Sequence, residues 1–401
     1  MNNNTAESTT LNPVSFLAER ASKLGTEGAF EVGARARTLE AQGRSVVHFE
    51  IGEPDFATAP HIVEAGVQAM RDGFTHYGPP PGLPQLRQAV VEEMRRTRGL
   101  DWARPEQVVV VPGAKPVVFY TILALVNPGD EVIYPDPGFP IYRSMIDYVG
   151  GKGVAIPLRV EREFRLDPAE LETLVTPRTK LLILNSPHNP TGSVLEPEDL
   201  DRIAEIAVRH NLMVLSDEIY SRLLYTGKHE TIATRPGMPE RTILLDGFSK
   251  SYAMTGWRLG YGLMPLWLAE HMTLLMVNSN SCTATFTQIA GVVALEGPQT
   301  CVNDMLAEFT RRREVVVAGL NEVKGFKCAA PAGAFYAFPD IRGTGLSSKE
   351  LADRLLNEAG VAMLAGSAFG SYGEGFLRMS YANSLENIQE GLVRMKRLLN
   401  G

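Results

Sequence analysis

From residue 108 onward, short unbroken apolar runs alternate with helix-patterned stretches, and no other feature of the chain narrows its possible folds as much. The runs lie at 108–111, 131–134, 181–184, 212–215 and 242–245. None alternates apolar with polar residues, as a half-exposed strand would. Continuous apolar runs are expected of strands covered on both faces, the situation in a parallel sheet under helices. The helical stretches between them, up to residue 126 and over 198–210, supply the crossovers that parallel pairing needs. The pattern predicts an α/β domain built on a mostly parallel sheet.

The flanking segments read differently. Residues 17–42 are mostly helical, with breaks at Gly25, Gly28 and Gly33, and 46–51 is β-like, stopping at Gly52-Glu53-Pro54. Helices follow over 62–72 and 85–98, separated by a proline- and glycine-rich loop at 77–84. After residue 266 the regular alternation ends. Helices over 267–276, 301–320, 348–358 and 387–399 mix with strands over 333–338 and 376–380, which predicts a smaller α+β domain from the C-terminal third. No internal repeat and no linker separates the parts.

Composition removes several function classes. The chain has 401 residues, 44% hydrophobic and 21% charged, enough apolar material for a large core and too much for a disordered chain. A net charge of −7 argues against a general nucleic-acid binder. The three cysteines, Cys282, Cys301 and Cys328, are odd in number and widely spaced, which speaks against a disulfide framework and against a zinc site. No metal is expected. The first ten residues are polar and lack the parts of a secretory signal. No stretch approaches the ~18 apolar residues that a membrane span needs. A cytoplasmic protein with a frayed N-terminus, away from membranes, is the expectation.

Ligands of a parallel α/β sheet sit at the carboxyl ends of its strands, so the loops there carry the chemistry. Residue 184 is followed by Asn185-Ser186-Pro187-His188-Asn189-Pro190-Thr191-Gly192, where two prolines and a glycine can fix the Asn189 amide in place; the alternative is an ordinary turn. Residue 215 is followed by Ser216-Asp217-Glu218-Ile219-Tyr220. Asp217 and Tyr220 face one site if a helical turn starts here, or Asp217 is only a helix cap. Residue 245 leads to Lys250, placed among small and apolar residues that favour a lowered pKa and a nucleophilic amine; a surface lysine is the alternative. Arg258, eight residues on, can hold an anion such as a phosphate. Pro112-Gly113-Ala114-Lys115 is a glycine turn opening a helix, a potential phosphate seat. Arg378 lies inside an apolar strand, where its fork suits either a ligand carboxylate or a structural acidic partner.

Together these loops supply a nucleophilic amine, a carboxylate, a phenol, an amide, two arginines and a helix N-terminus. Those are the parts needed to hold pyridoxal phosphate as a Schiff base and to clamp an amino acid's carboxylate. The chain resembles the class I aminotransferases of PLP fold type I, and most of all the branch containing bacterial aspartate and aromatic aminotransferases. The likeness runs from about Val46 to the C-terminus. Gly247-Phe248-Ser249-Lys250, followed by Gly256-Trp257-Arg258-Leu259-Gly260, matches the family's cofactor-attachment signature, and the other loops occur in the family's order.

The resemblance implies a large α/β cofactor domain over 49–310 and a small α+β domain over 311–401, with residues 1–48 forming an N-terminal arm and part of the small domain. It implies that Lys250 carries the cofactor and shuttles the proton, and that Asp217 pairs with the pyridine nitrogen. Tyr220 and Asn189 would meet the ring's phenolic oxygen. Arg258, Ser249 and the turn Gly113-Ala114-Lys115 would hold the phosphate, and Phe139 would stack on the ring. Arg378, with Asn189 and the Gly52 backbone, would bind the substrate α-carboxylate. Tyr77 would reach the phosphate of a neighbouring subunit, which implies a homodimer with shared sites. One position and one segment depart from the family, the segment 278–283 resembling its neighbour-subunit contribution only loosely. Gly247 stands where many members have a phosphate-binding serine, and no distal-carboxylate arginine is named in 278–283.

The implied reaction moves an amino group from an L-amino acid to a 2-oxo acid, 2-oxoglutarate or pyruvate. The donor stays open between acidic and aromatic amino acids. Lys115 either meets the distal carboxylate of an acidic substrate or only adds positive charge near the cofactor. Phe16, Phe139 and Tyr336 are candidates for an aromatic pocket. A PLP-dependent lyase or cyclising enzyme on the same fold is the alternative. A PLP-sensing regulator would need a DNA-binding domain, and nothing before Val46 is long or basic enough for one.

Overall fold

The computed structural model describes residues 16–401. The polar first ten residues, and the expectations attached to them, lie outside the described residues. The strands, numbered in chain order, are β1 (Val47–His48), β2 (Val108–Val111), β3 (Glu131–Asp136), β4 (Lys152–Pro157), β5 (Thr179–Asn185), β6 (Met213–Asp217), β7 (Thr242–Gly247), β8 (Gly260–Leu263), β9 (Tyr336–Ala337), β10 (Val361–Ala362), β11 (Leu364–Ala365) and β12 (Leu377–Ser380). Seven of them form one sheet in the order β2-β8-β7-β6-β5-β3-β4. β4, β3, β5, β6 and β7 pair in parallel, whereas β8 runs antiparallel to both neighbours, β7 and β2.

The apolar runs behave as two-sided strands. In β2, Val109 and Val111 pack into one core with Val117, Tyr142 and Met272, while Val108 and Val110 pack into another with Leu86, Met94 and Leu259. Alternate side chains point to opposite faces, and both faces are covered. Burying one such valine or leucine fully is worth about 1.5–3 kcal/mol.

The prolines do more than stiffen loops. Among the described residues five helices begin on one: Pro60–Arg71, Pro84–Arg98, Pro140–Tyr148, Pro168–Leu174 and Pro197–Arg209. At the first helical position the missing N–H costs nothing and the fixed φ suits the helix.

Several elements differ from the sequence reading. β4 is an edge strand with an exposed or half-buried start, so it lacks the unbroken apolar signal. β8 contains Gly260 and Gly262 and reads as a loop, because glycine carries no strand propensity. The helices Pro140–Tyr148, Pro168–Leu174 and Thr285–Glu296 also lie where no helix is expected from pattern. Gly33 does not break its segment but sits buried inside the helix Gly28–Ala41.

The C-terminal third makes a second, smaller assembly. β11, β12 and β9 form an antiparallel sheet, and β1 pairs in parallel with β10. The N-terminal segment therefore joins the C-terminal elements, and Ala36 of its helix packs against Leu356 and Ala362. The 22-residue helix Thr300–Asn321 runs through residue 310, so the expected boundary falls inside a single element. Among the described residues no helix is long and apolar enough to cross a membrane.

Candidate active site

One cavity of ≈ 380 Å³ lies at the carboxyl ends of β2, β5, β6 and β7, between the large sheet and the smaller assembly. Lys250, Asp217, Tyr220, Asn189, Arg258, Ser249, Ala114, Lys115, Phe139, Gly52, Tyr336 and Arg378 all line it. Gly113 lies just behind the wall, and Tyr77 lies away from it, 88% exposed. Phe16 does not contribute to an aromatic pocket, contrary to the expectation. It is 74% exposed, and Phe30 of the same N-terminal segment reaches the cavity instead.

Lys250 sits on a four-residue helical turn, Phe248–Ser251, that follows β7 directly. Its Nζ donates to the Gly52 carbonyl at 2.5 Å. Burial, reinforced by the positive charges of Arg378 and Lys115, pushes its pKa down to about 8. A substantial fraction of the amine is then neutral near physiological pH, as a nucleophile or general base requires.

Asp217 ends β6. Its Oδ2 accepts from the Tyr142 hydroxyl at 2.7 Å, and its Oδ1 accepts from the Ile219 N–H at 3.3 Å. No helix starts here; residues 219–222 form a turn, yet Asp217 and Tyr220 still face the same cavity. Burial raises the Asp217 pKa to about 6, against the lowering effect of the Tyr142 hydrogen bond. Tyr142 was not singled out in the sequence, because nothing in Pro140-Ile141-Tyr142 marks it until β6 is placed beside its helix. Tyr142→Phe should raise the Asp217 pKa further. The acid limb of the holoenzyme's pH–rate profile then moves upward, and kcat at neutral pH falls by about tenfold, the scale of a lost hydrogen bond to a charged group. An unmoved acid limb would show that the phenol does not hold this carboxylate ionised.

Below Asp217 and Lys250 lies a buried charged layer that the sequence reading also missed. Arg98 donates to Glu218 Oε2 at 2.8 Å and to Ser221 at 2.7 Å, and it pairs with Asp246. Glu218 also meets His229 at 2.7 Å and Thr231. These bonds tie the turn after β6 to the end of β7, so the carboxyl and the amine keep a fixed separation.

The turn before helix Lys115–Leu125 is shaped by backbone contact. Gly113 has φ +82°, and a Cβ there would stand 2.1 Å from Arg258 Nη2. No other residue lets the Arg258 guanidinium lie against this turn. The N–H groups of Ala114 and Lys115 donate to no backbone carbonyl, as expected at an open helix start. Gly247, the departure from the family pattern, has a packing reason. It pairs with Gly260 across β7 and β8, and a Cβ on it would meet Gly260 Cα at 3.0 Å.

Arg378 is buried on β12 and meets no acidic side chain. Nη1 donates to Asn189 Oδ1 at 3.1 Å and Nη2 to the Glu50 carbonyl, while Nε has no partner. Its guanidinium lies 4.6 Å from the Tyr336 ring centre and 4.9 Å from that of Phe369. Tyr336 in turn shares a 2.7 Å hydrogen bond with Tyr220. The structural ion pair considered for Arg378 does not occur among the described residues.

These features fit pyridoxal phosphate. Asp217 is a buried carboxyl that no cation meets among the described residues, as a pyridinium partner would be. The open N–H groups beside Arg258 suit a phosphate, and Lys250 is a depressed amine between them.

Residues 44–395 match the family Aminotransferase class I and II. The chain belongs to that family. This aminotransferase is 44% identical to the aspartate aminotransferase of Pyrococcus abyssi over 90% of its own length and 93% of the relative's. It is 43% identical to aromatic-amino-acid aminotransferase 2 of Thermococcus litoralis, with the same coverage of both chains. The solved structure of the Thermus thermophilus aspartate aminotransferase with maleate superposes with a TM-score of 0.92 at 38% identity, covering 96% of this chain and 99% of that one. The aminotransferase thus has the PLP type I fold, with an α/β architecture around a mostly parallel seven-stranded sheet.

Proposed function

We propose that this aminotransferase works with pyridoxal phosphate bound through Lys250, taking the amino group of an acidic or aromatic L-amino acid and delivering it to 2-oxoglutarate or pyruvate. One observation carries the reading: an amine with a pKa of about 8, a buried carboxyl and a buried guanidinium share one cavity, the last two without a bonded counter-ion among the described residues. When bound, the cofactor supplies an electron-withdrawing ring that makes the substrate's α-proton acidic. Asp217 keeps that ring's nitrogen protonated. Tyr220 and Asn189 orient it, and Phe139 covers one face. The backbone N–H groups of Ala114 and Lys115 at the Gly113 turn, with Ser249 and Arg258, hold its phosphate. Lys250, once displaced and neutral, moves the proton as a general base. Arg378, supported by Asn189 and the Gly52 segment, holds the substrate's α-carboxylate.

The same reading includes a second copy of the chain, with Tyr77 reaching its neighbour's phosphate. Leu266, Trp267, Leu274 and Val277 are exposed on one helix, with Phe74 and Met70 exposed in the segment before Tyr77, apolar surface that such a partner would cover. It also keeps the division at residues 49 and 310 and a cytoplasmic setting, the latter consistent with three unpaired cysteines.

The test is a half-reaction screen. Holoenzyme is mixed with single amino acids, with no 2-oxo acid present, and the spectrum is followed for conversion of the cofactor to its amino form. Stoichiometric conversion with release of the matching 2-oxo acid is the expected result. Release of ammonia with the cofactor unchanged would mean elimination chemistry instead.

A further inference from the structure

The cavity contains an ion pair that the reaction does not require. Glu27 lies at the N-cap position of helix Gly28–Ala41, yet its side chain does not cap that helix. It reaches instead to the Lys115 ammonium and pairs with it. Lys115 Nζ also lies 5.4 Å from the Phe139 ring centre. Both members are partly open to solvent, and an ion pair of that kind adds little to stability. Its effect is on the charge of the pocket. Of the cations lining the cavity, Lys250, Arg258 and Arg378 have proposed roles at the cofactor and the α-carboxylate, which leaves the Lys115 ammonium for a substrate's distal carboxylate, and Glu27 already engages it. Nearby, the wall is apolar, made by Phe30, Ile51, Val118, Phe139 and Leu364.

We infer that Glu27 is a specificity-determining residue that turns this pocket against acidic donors and toward aromatic ones. An acidic side chain must displace the Glu27 carboxylate from Lys115 and then sit beside a like charge. An aromatic side chain leaves the pair intact and covers apolar wall. Discrimination of this kind uses a repulsive element as well as an attractive one, and like-charge contact is what makes it selective. The inference rests on the proposed placement of Arg378 at the α-carboxylate, which fixes the direction in which the side chain extends.

The test compares wild type, Glu27→Gln, Lys115→Ala and the double variant as holoenzymes with matching cofactor spectra. Glu27→Gln should raise kcat/KM for aspartate and glutamate by about tenfold or more, while that for phenylalanine changes by less than about threefold. Binding of succinate, read by titration without turnover, should tighten in parallel, and binding of 3-phenylpropionate should not. The gain should disappear in the double variant, because it needs a freed Lys115. An unchanged or lower acidic-to-aromatic ratio overturns the inference, as does a gain that survives without Lys115. These outcomes are separate from failure of the proposed reaction. If no amino acid converts the cofactor, the reaction assignment falls, and succinate binding still reports on Glu27.

Discussion

Lys250→Ala is expected to remove covalent cofactor attachment and to lower transamination by about 10⁴-fold or more, because both the nucleophile and the base are lost together. Lys250 is the amine that emerges from β7 into the cavity, held toward the Gly52 carbonyl. Treating the variant with borohydride and then denaturing it should leave no cofactor on the chain, whereas wild type should retain it. Lys250→Arg should not rescue, since a guanidinium stays protonated. The pH dependence follows from the pKa of about 8. Only the neutral amine captures cofactor, so the capture rate of the cofactor-free protein should rise with pH and level off above about 8. Stability of the cofactor-free protein rises with pH as well, over a higher window. Burial lowers this pKa, so the charged amine opposes folding fully below about 8, and the penalty fades as pH rises toward the unfolded value. Lys250→Ala without cofactor should therefore melt no lower than wild type at pH 7. Covalent cofactor retained by the variant would place the attachment elsewhere.

The residues that could be read from the sequence share a property: each is announced by its immediate neighbours. Lys250 and Arg258 sit in one contiguous signature, Asn189 sits between two prolines, and Asp217 comes two residues after an apolar run. The large sheet was legible for the same reason, since β2, β5, β6 and β7 are buried on both faces and keep their apolar runs whole. What was not legible depends on contacts between distant segments. Tyr142 meets Asp217 across 75 positions, Arg98 meets Glu218 across 120, and Lys115 meets Glu27 across 88. A tyrosine, an arginine or a glutamate on a helix carries no local mark of such a partner. β8 failed for a related reason. Its glycines look like a loop, but they are there because Gly260 lies against the Ala114 backbone, where a Cβ would stand 2.6 Å from the amide nitrogen. Strand propensity gave way to the close approach that the phosphate turn needs.

Arg378→Lys should lower kcat/KM for every donor by about 10²–10³-fold, mostly through KM, and leave the cofactor spectrum unchanged. Arg378 is buried, burial lowers its pKa, and the described residues bond it to an amide and a carbonyl between two aromatic faces, with Glu27 and Glu50 acting only through space. A buried cation without a bonded counter-charge destabilises the ligand-free fold. The α-carboxylate shared by all amino acids and 2-oxo acids supplies that counter-charge, and the unpartnered Nε marks a donor still free. A guanidinium offers the carboxylate two parallel donors, which a lysine ammonium cannot reproduce. Because the contact is to the end common to all substrates, the loss should be uniform, in contrast to the donor-selective effect of Glu27→Gln. Arg378→Leu separates binding from architecture. It removes an uncompensated buried charge, so the cofactor-free protein should melt at the same temperature or higher while activity falls further. A lower melting temperature, or a loss confined to one class of donor, would mean that Arg378 serves the fold or the side-chain pocket rather than the carboxylate.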